Sequence, residues 1–551
     1  LTIASLLLAG VILLPLMMAA ACLIAGFRRV APFMLALAPL PAIFAALLLP
    51  DGARVSFPVP FGMTLMLDRP GAILLGGAGL LWSMAGAYAG SYMGRKPGAE
   101  SFAIWWLLTL AGSLGVLVVA DIASFYLMFT LVSIAGYGLV AHEQTAQARR
   151  AGLVYMVLAL IGEAFLLVAF IMLASGQPDA NPLIRDAVAA LVASPMRDAI
   201  ALFIILGFGL KMGLVPLHVW LPLAHPAAPM PASAVLSGVV VKAGVIGMIR
   251  FLPFEAGLPA WGAALALVGL FTAFYGAAIG VMQTRPKTIL AYSTVSQMGL
   301  VGAILGAGLA TGDASGRELS AFYGLHHTLV KGALFLGVGV ALASGGAARW
   351  IVLAVLGALG LSLGGLPLTS GALAKLVAKP IFGYGPVSVA VSLAAAGSTM
   401  LMLHFTAMAA RDSRPGDVGN KRPGAPIGQT GPFIVVALAS VGLSWWLYPA
   451  LGGEVAATAL DAASLWKLGW PMGLGLALFM LTRLTPRLAG AIPEGDIITL
   501  AERRSGSLAA VSGLVAGLDA RLRRWPAACL ALLLIAILSA LSMGGPRLTL
   551  P

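Results

Sequence analysis

Four lysines, Lys211, Lys242, Lys331 and Lys375, each fall inside a long apolar run. A lysine near the middle of a bilayer costs about 2.5–3.5 kcal/mol even on a lenient insertion scale, so four cost on the order of 10 kcal/mol before any pairing. That rivals the net stability of a typical protein, about 5–15 kcal/mol. Residues kept at such a cost are read as functional, with partners inside a helix bundle. A lysine held away from water can gain and lose a proton near neutral pH, as a proton relay requires. The competing reading is a lysine held permanently charged by a carboxylate, but acids are scarce. Glu163 is the one carboxylate placed well inside a run, about 13 residues from its basic end, or roughly 20 Å along a helix. Of six histidines, His326 and His327 share a run with Lys331, and His327 lies one helical turn from it. A neutral imidazole can take a proton on one nitrogen and release it from the other. His218 and His225 flank prolines, while His404 and His142 read as ordinary packed histidines. Four lysines against one glutamate favour protons over sodium, which would want several oxygen ligands.

No histidine pair has zinc-site spacing with a carboxylate. The two cysteines, Cys22 and Cys529, sit in the first and last apolar runs, which leaves no iron–sulfur, thiolate-zinc or c-type haem site. No metal and no cofactor are expected in this chain.

The elements that must position these groups are membrane helices. Of 551 residues, 60% are hydrophobic and 10% charged, against about 25% charged in soluble proteins. A crossing helix needs about 20 apolar residues. Sixteen runs qualify: 1–26, 31–50, 70–93, 102–119, 121–142, 151–174, 198–223, 229–252, 259–283, 288–309, 319–343, 350–382, 386–410, 432–451, 465–483 and 526–543. The first is read as a retained helix rather than a signal peptide, since it lacks a basic start. The predicted fold class is an all-α integral membrane protein of about 16 transmembrane helices. The net charge of +13 is spread over short loops. It therefore suits anionic lipid headgroups and not nucleic acid.

Counting Lys and Arg in the loops puts twenty after odd-numbered spans and nine after even ones, with the other four of the 33 inside spans. The positive-inside rule then places the odd loops in the cytoplasm and both termini on the outer, periplasmic side of a bacterial inner membrane. Residues 51–66 alternate weakly and predict a small external hairpin. Residues 411–431, rich in Gly, Pro and charge, read as a mobile cytoplasmic loop. Within 484–525, Ile497, Leu500, Leu508, Val511, Val515, Leu518 and Leu522 recur at helical spacing. They read as an interfacial amphipathic helix, or as a strut against a neighbouring subunit.

Two spans are interrupted. The seventh carries Lys211, then Pro216, His218 and Pro222; the twelfth carries Gly365, Pro367 and then Lys375. Proline opens a helix, and open backbone at membrane depth is tolerated only where it is buried in protein or lines a cavity. Ordinary proline kinks are the plainer explanation. Two such segments in matching places point instead to an inverted-repeat transporter. The five-span interval fits repeats over spans 4–8 and 9–13. The chain then divides into 1–101 (helices 1–3 and the hairpin), 102–255 (first repeat), 256–410 (second repeat) and 411–551 (helices 14–16 with the amphipathic segment).

Residues 211–248 (KMGLVPLHVWLPLAHPAAPMPASAVLSGVVVKAGVIGM) strongly resemble the central motif of the antiporter-like subunits of complex I, the Mrp-type cation/proton antiporters and the membrane-bound hydrogenases. So do 283–300 (QTRPKTILAYSTVSQMGL), 325–340 (LHHTLVKGALFLGVGV) and 365–376 (GLPLTSGALAKL) for the later helices. The wording around HVWLPLAHPAAP is most similar to the hydrogenase-4 and formate hydrogenlyase branch. The resemblance covers roughly 60–410. It implies fourteen core helices plus extensions, two inverted five-helix repeats, a half-channel in each, and a mid-membrane charged axis joining them. By that resemblance Lys211 matches the seventh-helix lysine, Lys242 the eighth-helix lysine, Lys331 with His326 and His327 the eleventh-helix relay, and Lys375 the twelfth-helix charge. One position departs. The family's fifth-helix Glu, which follows a Trp and pairs with the seventh-helix lysine, is Thr130 here, after Phe129. Glu163, at a similar depth on the next helix, is the expected substitute.

The function expected is a proton-translocating subunit of a larger energy-converting complex. The resemblance implies other membrane subunits as partners, with redox chemistry in peripheral subunits of an NADH:quinone oxidoreductase-like or hydrogenase-like oxidoreductase. Two alternatives stay open: a cation/proton antiporter subunit, and a proton-conducting partner of a non-redox complex such as inorganic-carbon uptake.

Overall fold

The computed structural model describes residues 2–58, 62–94, 96–179, 181–412, 424–452, 458–484 and 490–504. The sixteenth expected span, Cys529, residues 413–423 of the glycine- and proline-rich loop and the amphipathic positions from Leu508 onward lie outside them.

The chain begins with α1 (Ile3–Ala21), α2 (Ala25–Met34) and α3 (Leu40–Leu48). A hairpin follows, pairing β1 (Ala53–Ser56) antiparallel with β2 (Thr64–Leu67), Ala53 opposite Leu67. Next come α4 (Arg69–Met93), α5 (Ala99–Val118), α6 (Ile122–Val140), α7 (Ala146–Ser175), α8 (Ile184–Leu191), α9 (Arg197–Met212) and α10 (Trp220–Ala227). A short α11 (Met230–Val235) runs through a π turn (Leu236–Val240) into α12 (Lys242–Phe251). The second half holds α13 (Pro259–Val281), α14 (Pro286–Thr311), α15 (Ser315–Ala343), α16 (Gly346–Gly364), α17 (Ser370–Ala378) and α18 (Pro386–Asp412). Last come α19 (Ile427–Gly452), α20 (Ala462–Leu484) and α21 (Asp496–Arg504).

Among the described residues, 13 helices are long and apolar enough to cross a membrane. The chain is an all-helical integral membrane protein with one small hairpin. The second expected span, 31–50, is not one continuous helix but is broken between α2 and α3. Pro39 caps α3 and Pro41 sits in its first turn. Neither can donate to the preceding turn, and their rings crowd it. The seventh span divides into α9 and α10, and the twelfth into α16 and α17, as their glycines and prolines predict.

Local chemistry fixes the starts of several helices. Asp68, Asp121 and Thr145 cap α4, α6 and α7 by accepting from the amides of Gly71, Ser124 and Ala148. Asp121 also accepts from the Thr64 amide at 2.7 Å, tying the hairpin to the bundle. Arg250 grips Asp68 through two nitrogens at 3.0 and 2.8 Å. It also donates to the carbonyls of Val116, Leu117 and Val119, where a cation suits the end of α5.

The centre of the bundle is α14 with α11 and α12, whose apolar windows are wholly buried. α13 and α14 touch backbone to backbone. A Cβ on Gly262, Gly269 or Gly276 would lie 2.2, 2.5 or 2.6 Å from an amide nitrogen of α14. Such close approach through small residues takes the place of a hydrophobic driving force between helices in lipid.

Candidate functional site

The two breaks place the lysines. α9 ends at Met212, with Gly213 in the left-handed conformation at φ 80°, which glycine adopts freely. The carbonyl of Leu210, freed by the break, accepts from the Trp220 indole at 3.0 Å. The Val215 amide donates to Thr272 on α13 at 3.1 Å. The break is thus satisfied by side chains, as buried backbone in lipid must be. Lys211 sits on the last turn before it, 3% exposed. Pro216 lies in the gap itself. Pro222 falls in the first turn of α10, where its missing N–H has no helical partner to lose.

Lys211 donates to Ser133 on α6 at 2.8 Å and lies 3.5 Å from the Tyr155 hydroxyl. It also stands 5.3 Å from the centre of the Phe129 ring. Thr130, one turn before Ser133, donates to Glu163 at 2.6 Å. Ser133 itself donates to the Phe129 carbonyl at 2.9 Å, and Lys211 acts on Glu163 through its charge. The carboxylate on α7 therefore reaches the neighbourhood of the residue whose expected acid is missing. Among the described residues no ion pair joins Glu163 and Lys211 directly; each bonds a hydroxyl of α6, Thr130 for the glutamate and Ser133 for the lysine.

The next cluster is built on the π turn. That turn lets the Lys242 ammonium reach the Ser237 carbonyl at 3.2 Å and His327 Nδ1 at 2.5 Å. Such turns in helices often mark functional sites. His327 and Lys331 share α15 but take different partners. Lys331 donates to the Leu290 carbonyl at 2.8 Å and to the Ser293 hydroxyl, both on α14. Lys242, Lys331 and both histidines are at most 2% exposed. His327 feels the charges of Lys242 and Lys331 and interacts with His326 and His225.

The third cluster lies at the second break. His326 Nδ1 bonds Ser370 at 2.8 Å, at the start of α17. Gly365 ends α16 at φ 107°, and Pro367 lies in the gap. Lys375, half-buried, donates to the freed carbonyl of Leu363 at 2.8 Å. Lys375 and Lys242 both act electrostatically on His326. No direct hydrogen bond between described residues joins the Lys211 cluster to the Lys242 cluster.

Six buried atoms along this row have no protein partner: Glu163 Oε1, His218 Nδ1, both nitrogens of His225, His326 Nε2 and His327 Nε2. Buried polar atoms are nearly always paired in native proteins. Buried polar atoms without a protein partner are where an internal water can be bound. His404, expected to be ordinary, bonds the Gln283 carbonyl at 2.8 Å. His142 packs against Phe102, ring centres 5.1 Å apart.

The sequence reading missed several participants. Ser133, Ser293 and Ser370 each hold a row member, but a serine in a membrane helix carries no signal of its own. Asp496 is the larger omission. It is 1% exposed and accepts from His218 at 2.9 Å, although it lies beyond every expected span that precedes it.

Residues 120–399 match the family described as NADH:quinone oxidoreductase/Mrp antiporter, transmembrane. The chain is 32% identical over 304 residues to hydrogenase-4 component B of Escherichia coli (strain K12), covering 52% of this chain and 44% of that protein. The chain spans about half the length of the curated relatives it matches. In the structure of the Mrp complex from Dietzia sp. DQ12-45-1b, one chain superposes with a TM-score of 0.74 at 21% identity, covering 98% of this chain and 62% of that one. In the membrane-bound sulfane sulfur reductase, an archaeal respiratory membrane complex, the TM-score is 0.67 at 20% identity, with 86% and 99% covered. Those two likenesses speak to the fold alone.

Proposed function

The chain belongs to the NADH:quinone oxidoreductase/Mrp antiporter transmembrane family, and from that premise we propose that it carries protons across the membrane as one subunit of a larger energy-converting complex. The observation that carries this reading is the buried contact between Lys242 Nζ and His327 Nδ1 at 2.5 Å, in a row of buried lysines and histidines. A protonated Lys242 can hand its proton to Nδ1, and the imidazole can release one from Nε2. Each proton taken by one lysine raises the cost of a second on its neighbour in a low-dielectric interior. Charge on the row is thereby passed sideways.

Lys211, Glu163 and Thr130 form the first half-channel in this reading. Lys242 and His327 form the joint, and Lys331, His326 and Lys375 the second half-channel. The breaks at Pro216 and at Gly365 with Pro367 open the helices beside the terminal lysines. The full architecture is sixteen spans with inverted repeats over 102–255 and 256–410, both termini on the outer side of a bacterial inner membrane. Redox chemistry in peripheral partner subunits drives transport. Similarity to a hydrogenase-4 component favours that driver over cation exchange.

The test uses the chain with its co-purified membrane partners in proteoliposomes. A potassium diffusion potential set by valinomycin drives uptake, and a pH-sensitive dye reads it in choline buffer and in sodium buffer. Wild type should take up protons in both, and Lys211→Met should assemble but lose most uptake. Normal uptake by Lys211→Met overturns the assignment. Uptake that appears only with sodium replaces proton translocation by cation exchange.

A further inference from the structure

Beyond α20 the chain returns to the bundle. The Gly490 amide donates to the Met282 carbonyl at 2.6 Å, and Gln283 holds the Ile492 carbonyl at 3.1 Å. Glu494 pairs with Arg285 at 3.1 Å and accepts from Thr288 at 2.6 Å. Arg150 reaches Thr499 at 3.0 Å. These contacts already dock the segment 490–504 at the loop-side ends of α7, α13 and α14. Asp496 goes further, into the first helix break. One of its carboxylate oxygens accepts from His218 Nε2 at 2.9 Å, Tyr275 at 3.0 Å and Tyr292 at 2.9 Å. The other accepts from the Ile497 amide.

Sinking a carboxylate this deep costs several kcal/mol in lost hydration, and docking does not require it. His218 is fully buried, and its second nitrogen, Nδ1, has no protein partner. A buried imidazole with one nitrogen fixed by a carboxylate and the other free is an oriented proton carrier. His218 lies in the same break as Lys211. Burial pushes the Asp496 carboxyl up, but the bonds from His218, the Ile497 amide and Tyr292 outweigh it and hold it below its ordinary value. The group therefore remains an anion at neutral pH.

We propose that Asp496 is a positioning residue for proton uptake: it reaches from the segment after α20 into the first helix break and fixes His218 so that Nδ1 exchanges protons on the way to Lys211. The proposal rests on the proton-translocation reading above. Among the described residues, the titratable groups that face His218 are Asp496, Tyr275 on α13 and Tyr292 on α14. Gly495 allows the approach. At φ 79°, it passes so close to Leu223 that a Cβ would lie 2.8 Å from Leu223 Cδ2.

The test compares Asp496→Asn, Asp496→Glu, His218→Gln and the double variant Asp496→Asn with His218→Gln in the proteoliposomes described above. Asp496→Asn should slow uptake on the order of 100-fold, the lower end for a positioned proton-transfer group, and should change the pH profile of the rate. Asp496→Glu should recover much of the rate, and the double variant should be no slower than the slower single one. Gly495→Val, which lifts the segment away, should behave like Asp496→Asn. A wild-type rate and pH profile in Asp496→Asn, or losses that multiply in the double variant, overturn the proposal. Solid-state 15N NMR of the histidine rings in the full chain provides a readout independent of transport. The signals missing in His218→Gln belong to His218, and Asp496→Asn should shift them. Unshifted signals overturn the proposal. A wild type that moves no protons, with shifted His218 signals, sinks the transport reading while leaving the positioning geometry intact.

Discussion

At position 130, where the resemblance leads one to expect a glutamate, stands a threonine that bonds a glutamate on the next helix, Glu163. Thr130 donates to Glu163 at 2.6 Å, and Lys211 donates to Ser133, one turn further along the same helix, at 2.8 Å. This arrangement predicts an exchange. Thr130→Glu alone should lower proton uptake, because it sets two carboxylates side by side in a buried site where both cannot remain charged at modest cost. Thr130→Glu combined with Glu163→Gln should recover uptake by restoring one acid near Lys211. Proteoliposome rates decide it. If the double variant is slower than either single one, the carboxylate's helix of origin matters and the substitution reading falls. Both residues were singled out from the sequence. Ser133 was not, because a hydroxyl among apolar residues looks the same whether it bonds only its own helix or also a lysine on another.

Among the elements, the two breaks and the α13–α14 contact do most of the positioning. The breaks were readable because glycine and proline have fixed backbone consequences. The π turn before Lys242 was not. There Thr328 of α15 lies within hydrogen-bond reach of the Gly238 carbonyl, at 2.7 Å, a contact no local pattern encodes. The α13–α14 pair makes its own prediction. Gly269→Val would drive a Cβ to 2.5 Å from the Ala303 amide, against backbone that cannot give way. Overpacking typically costs about 1–3 kcal/mol, with rigid contacts at the upper end. The variant should melt several degrees lower in detergent. It should also transport less, since α14 carries Ser293 and the Leu290 carbonyl that hold Lys331. An unchanged melting temperature together with unchanged transport would show that the pair can separate freely.

For the whole molecule, the proposed proton path through the lysines and histidines calls for a driver in partner subunits. Mass spectrometry of the complex purified from native membranes in mild detergent should find other membrane subunits together with iron–sulfur and nickel or quinone-site proteins. Recovery of small membrane subunits alone, or of a soluble zinc protein, would move the driver to cation exchange or carbon uptake.

The sequence by itself determined the solvent, the long apolar runs, the two interruptions and the costly lysines. All of these follow from composition and from the backbone rules of glycine and proline, which act within a few residues. It also located Glu163 as the scarce acid. Only the tertiary structure decided that Lys242 meets His327 while Lys331, one turn away on the same helix, turns to α14. It alone showed that the second span is broken between α2 and α3, and that Asp496 closes on His218 across 278 positions of sequence. Those outcomes depend on which helices become neighbours. A residue's type fixes what it can bond, but the packing of the bundle fixes what is there to be bonded.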